Sequence, residues 1–285
     1  MVCKIERIPA ISAIYFALLQ CGYDYYSFER DAAHIAAVER FIGAGKMPSI
    51  FSEARRASCE VYPFWPRAAI LETATFFLNA SSDRFVDYDS LVKRIESAKN
   101  ITPEEKGASL WKWLNGFPTA MKELMNSNGF RRYLEWEKEW IAEQNMTHCG
   151  ELDLLEETLQ ICRERYRAPF RDLRIVLNPI KCVYSSDHYA LDDAFIFTSG
   201  AMRIDSAVHE YLHTVVHPVL EREAITVRKA KYPGIDESYY LDGAESGYQN
   251  AFEEYAVRML TQLVLRREYP PDIVSYMRDL SETVS

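Results

Sequence analysis

The stretch Val208-His209-Glu210-Tyr211-Leu212-His213 carries an HExxH pattern inside an apolar, helix-compatible segment. Four residues advance an α-helix by about 400°, so His209 and His213 project from one face, roughly 6 Å apart along the axis. Both imidazoles can then reach one metal ion. Glu210, beside the first histidine, can point toward a water on that metal and take its proton without becoming a ligand. This spacing is the pattern expected of a catalytic zinc, one ion per chain, with His209 and His213 as ligands and Glu210 as general base. The alternative is chance occurrence on an ordinary helix, which the surrounding periodicity makes less attractive.

A catalytic zinc takes three protein ligands and keeps a position open. His217 continues the i, i+4 series, but it lies about 12 Å from His209 along a continuous helix, too far for three rings to converge. Pro218 could distort the helix there. His217 therefore reads as an outer, substrate-facing or packed residue. The next long helix, expected from Ser246 to near Arg267, offers Glu253 and Glu254. At about 100° per residue, Phe252, Ala256, Met259, Leu260, Leu263 and Val264 define its apolar arc, which includes Glu253 and leaves Glu254 on the face of Asn250, Arg258 and Thr261. A carboxylate on an apolar arc needs a compensating cation. Glu253 is thus the expected third ligand and Glu254 the alternate, the competing account of Glu253 being an ion pair at the helix edge.

Outward from the motif, residues 169–205 change character. Ile175-Val176-Leu177, residues 181–184 and Ala194-Phe195-Ile196-Phe197-Thr198 are candidate strands, so a small sheet is expected, with Asp205 or Ser206 capping the following helix. Residues 8–166 read instead as amphipathic helices separated by breakers. The expected fold is α+β and predominantly helical: a helical N-terminal region, 1–168, precedes a catalytic region, 169–285, and the two could form one continuous domain. Tyr133, Trp136 and Trp140 fall at i, i+3 and i+7, a stripe better explained by core packing than by ligand binding.

The chain has 285 residues, 48% of them hydrophobic, enough for a large core. A formal net charge of −9 argues against nucleic-acid binding. The arginines between 163 and 174 are interleaved with acids, as on a solvated helix face. No apolar run reaches membrane-span length, and the six scattered cysteines contain no CxxC pair. The apolar stretch after Lys4 and Arg7 lacks a small-x-small cleavage site. These features point to a cytoplasmic protein with reduced thiols.

The motif and the helix after it together resemble the gluzincin metallopeptidases. Glu253-Glu254-Tyr255-Ala256 looks like the ExxA signature of their second ligand helix, which again favours Glu253. Val257 departs from families that place an acid there. The resemblance covers residues 195–260 and implies a zincin-like catalytic part acting on peptide or protein substrates, with residues 194–198 as an edge strand holding an extended substrate. Tyr239, Tyr240 and His188, in polar segments near the motif, are candidate oxyanion or substrate contacts alongside His217. Residues 229–247 are a candidate wall of the cleft. Two other readings stay open: a metal-dependent hydrolase of a non-peptide amide or ester, and a non-catalytic zinc-binding protein. Glu210 argues against the last, because a structural site is usually closed by four ligands and needs no base.

Overall fold

In a computed structural model the chain is predominantly helical with one small sheet, an α+β protein. The structure describes residues 3–9, 11–13, 16, 32–42, 123–167, 172–180, 186–191, 194–240 and 245–283. The breakers expected between residues 43 and 118 and the candidate strand at 181–184 lie outside them. Among the described residues no helix is long and apolar enough to cross a membrane.

The chain divides into two compact units that interleave in sequence. One comprises Met1–Cys3, Cys149–Arg171 and Arg203–Ser285, the other Lys4–His148 and Asp172–Met202. The units therefore do not meet at one boundary near residue 168: the sheet belongs with the N-terminal helices, and the helix at 149–166 belongs with the motif.

In the unit containing the sheet, α1 (Ala32–Ile42) and α2 (Asn128–Thr147) accompany β1 (Asp172–Leu177), β2 (Asp187–Leu191) and β3 (Ala194–Ser199). Ser127 caps α2 by accepting the Phe130 N–H. The aromatic stripe of α2 packs on α1: the His34 ring lies 4.7 Å from Trp136 and 5.1 Å from Trp140, centroid to centroid. The strand order is β1-β3-β2, with β3 parallel to β1 and antiparallel to β2. Phe195, Ile196, Phe197 and Thr198 are all buried, so both faces of β3 are covered. Since β3 is paired on both sides, its backbone groups are spent within the sheet. The expected substrate-holding edge strand at 194–198 is thus a central strand, and its unbroken apolar run is the signature of that position. Strand β2 was hidden in sequence because Asp187 and His188 read as loop.

The other unit contains α3 (Cys149–Tyr166), α4 (Ile204–Arg222), a short 3-10 helix (Glu237–Tyr240), α5 (Glu245–Leu265) and α6 (Ile273–Thr283). Leu155, Leu159 and Cys162 of α3, Val208, Leu212 and Val216 of α4, Phe252, Leu260 and Val264 of α5 and Met277 of α6 form its core. Asp272 starts α6 by accepting the Ser275 N–H at 2.8 Å. The Arg165 guanidinium binds the Pro270 carbonyl at 2.8 Å and lies over the Tyr269 ring, fixing the turn between α5 and α6 against α3.

Candidate metal centre

Helix α4 is capped two or three residues earlier than expected. Its N-cap position is Arg203, which makes no side-chain cap, and Asp205 and Ser206 lie inside the first turn. Asp205 instead accepts from the Arg203 guanidinium at 2.9 Å. That bond, outweighing partial burial, holds its carboxyl below the usual range, a charge well placed against the helix dipole. Ala207, Val208, Tyr211, Leu212, Val215, Val216, Val219 and Leu220 face the core. This leaves His209, Glu210 and His213 along a partly covered flank. The helix continues through Pro218 to Arg222. The expected distortion at that proline does not end it.

Helix α5 brings its carboxylates to that flank. Gly247 in its first turns is buried, and a Cβ there would stand 3.3 Å from the Tyr239 carbonyl oxygen, so the residue's lack of a side chain lets the 3-10 helix lie directly on α5. The side chain of Ser246, the expected start of this helix, lies outside the described ones. Tyr232 extends the packing, with its ring 5.6 Å from both Phe252 and Tyr255.

The donor atoms converge closely. The Nε2 atoms of His209 and His213 are 3.3 Å apart, and Glu254 directs one oxygen to each, 3.5 Å away in both cases. Ligands bound tetrahedrally to zinc at about 2.0–2.1 Å lie roughly 3.3–3.5 Å from one another. Among the described residues these three are the one His/Cys/Asp/Glu group of three that could hold an ion, each offering one donor atom within 4.8 Å of the others. Their chemistry fits as well: two imidazoles and a carboxylate are hard-to-borderline donors suited to a divalent transition metal.

The third member is Glu254, not the favoured Glu253. The apolar arc drawn from sequence was too narrow. Ala251, Val257 and Thr261 are buried as well as Phe252, Ala256 and Leu260, so α5 is covered around most of its circumference and Glu254 is inside, at 7% exposure. Ala251 and Val257, apolar residues outside the arc that was drawn, close that side together with the buried Thr261. Glu253 also faces α4 but reaches different atoms: its two oxygens lie 2.9 Å from the Nδ1 atoms of His213 and His217. His217 is half-exposed, and its Nε2 lies 3.4 Å from Glu221, so both ring nitrogens engage carboxylates outside the ligand group.

The field at the site is strongly negative. Burial opposes a charge on His213, but Glu253, Glu254 and Glu210 outweigh it and push its pKa up to about 10. Burial likewise opposes the Glu254 carboxylate, yet His209 and His213 hold it far below its ordinary range. A surround that favours a proton on His213 favours a divalent cation for the same Coulombic reason.

Arg258 was not singled out in the sequence, although its i, i+4 spacing from Glu254 is legible there. Its Nε donates to Glu254 Oε1 at 2.8 Å and its Nη1 to the Gly234 carbonyl at 2.5 Å. One side chain thereby ties the Glu254 carboxylate to the segment between α4 and α5. The Tyr240 hydroxyl accepts the Tyr232 N–H at 2.6 Å, Tyr239 is exposed beside it, and His188 sits on β2 of the other unit with its ring stacked 5.2 Å from Phe195. Comparison with protein-family models, with curated proteins and with solved structures finds no match.

Proposed function

We propose that this chain is a zinc-dependent metallopeptidase with a zincin-like catalytic part of the gluzincin kind, acting on peptide or protein substrates in the cytoplasm. The observation that carries this reading is the convergence of His209, His213 and Glu254 within 3.5 Å of one another, with Glu210 next to the first of them in the sequence. A zinc ion held by those three residues supplies Lewis acidity, which lowers the pKa of water toward about 7 and polarises a carbonyl.

The protein's own groups supply the rest. Glu210 accepts the proton released as water attacks and hands it to the departing amine. Glu254 contributes one negative charge as a ligand, and Arg258, bonded to the same carboxylate, keeps it from swinging away. Three protein ligands leave room for water and substrate, whereas a structural zinc would be closed by a fourth. The wall proposed for the cleft, residues 229–247, is held at Gly234 by Arg258.

Metal analysis of purified protein is expected to give about one zinc per chain, with strong loss in His213→Ala and Glu254→Ala. Glu210→Gln should retain zinc and lose turnover on a peptide library by about 10²–10⁴-fold. Turnover of esters or non-peptide amides with no peptide cleavage would move the substrate class. A Glu210→Gln protein as active as wild type would sink the mechanism.

A further inference from the structure

Glu253 is left over by the ligand set, yet both of its oxygens are engaged. It stands one position before Glu254, and only 14% of its side chain is accessible. An ionised carboxylate there has to be compensated. One of its oxygens lies 2.9 Å from Nδ1 of His213 and the other 2.9 Å from Nδ1 of His217.

A carboxylate ion only accepts hydrogen bonds, so each of those Nδ1 atoms presents its N–H. For His213 that decides the other nitrogen. In the neutral ring that metal ligation requires, a proton kept on Nδ1 leaves the lone pair on Nε2, the atom that faces His209 and Glu254. His217 acts on Glu253 rather than on the metal. A carboxylate held through one oxygen can still swivel, while one held through both by donors from successive turns of α4 has its plane fixed. His217 is itself spanned, with Glu221 3.4 Å from its far nitrogen.

We propose that Glu253 is a positioning residue shared by two histidines, fixing the tautomer and ring orientation of His213 for metal ligation while His217 fixes Glu253 in turn. This rests on the ligand set proposed above. It gives a function to the third histidine of the His209, His213, His217 series, which is too distant along the helix to bind the same ion.

The test measures zinc affinity by competition with a chromophoric chelator for wild type, Glu253→Ala, Glu253→Gln, His217→Ala and Glu254→Ala, with circular dichroism to check helix content. Loss of Glu253 should weaken zinc binding about 10–100-fold, as removal of an outer partner of a metal histidine does. His217→Ala should weaken it by less, in the same direction. Glu253→Gln should fall between wild type and alanine, because an amide oxygen still accepts from His213. Proton NMR of the metal-free wild type should show an exchange-protected Nδ1–H resonance from His213, a readout independent of zinc and of the folding of any variant, and that resonance should disappear in a Glu253→Ala protein whose circular dichroism matches wild type. Wild-type zinc affinity in Glu253→Ala, or absence of that resonance from wild type, overturns the proposal while leaving the ligand set standing. Zinc retained by Glu254→Ala but abolished in Glu253→Ala overturns both, since Glu253 would then be the ligand. A wild type that shows the resonance but binds no zinc overturns the metallopeptidase reading and the metal-positioning role together.

Discussion

At the scale of single residues, the described chain holds a second buried carboxylate whose behaviour differs from those at the metal centre. Glu137 of α2 is buried and accepts hydrogen bonds from the Tyr133 hydroxyl at 2.7 Å and the Ser12 hydroxyl at 2.9 Å. Burial dominates those bonds and pushes its pKa up from 4.5 to about 7. A folded-state pKa above the unfolded one means that the folded protein binds the extra proton. Its contribution is complete below about pH 4.5 and is lost as the pH rises through about 7, opposite to an ion-paired carboxylate. Denaturant titrations across that interval should show this part of the stability declining by a few kcal/mol at most, and Glu137→Gln should flatten the decline. A Gln variant with the wild-type pH dependence would show that Glu137 is not its source. The residue scale is also where sequence reasoning reached furthest. The approach of His209 to His213 was legible because four-residue spacing on a helix has one geometric consequence. Glu253 and Glu254 were legible as a pair but not as individuals.

At the scale of elements, helix α4 closes in an unusual way that the sequence did not advertise. The Ile225 N–H binds the Leu220 carbonyl at 3.4 Å and the Ala224 N–H binds that of Glu221, while Ala224 adopts φ +46°. This is the left-handed helix terminus that glycine usually provides. Ala224→Gly should therefore stabilise the fold by about 0.5–1 kcal/mol, because relief of the Cβ clash exceeds the added unfolded-state entropy. Thermal melts would detect the gain as a rise of a few degrees, and a fall would mean that Ala224 packs against something worth more than the strain. Gly247 is the converse case. Its Cβ-free surface carries the Tyr239 carbonyl, so Gly247→Val should displace the 3-10 helix from α5 and lower the melting temperature. Elements with strong periodicity, such as α2 and α4, were foreseeable. Strand β2 was not, since its alternation is short and begins with Asp187 and His188, residues more common in loops.

At the scale of the whole molecule, the metal and the fold should be linked. The proposed ligands come from two helices joined by residues 223–244, so the ion would bind the folded arrangement and not the unfolded chain. Free zinc at a thousand times its dissociation constant would then stabilise the folded state by about 4 kcal/mol, and a chelator should reverse the shift. The comparison is a pair of thermal scans with and without chelator, repeated on Glu254→Ala, whose melting temperature should not respond to zinc. An equal response in that variant would place the ion elsewhere.

The sequence by itself determined the helical character of the chain, the existence of a small sheet, and a His-Glu-x-x-His face suited to a metal. These are consequences of spacing along one element, and spacing is written in the chain. Only the tertiary structure decided which glutamate of α5 joins the histidines, because that depends on how far around its circumference the helix is buried. The burial of Ala251, Val257 and Thr261 extends the covered face of the helix to Glu254. It likewise decided that β3 is central, and that His217 turns to Glu253, since strand order and the rotation of one helix against another are set by contacts between residues far apart in sequence.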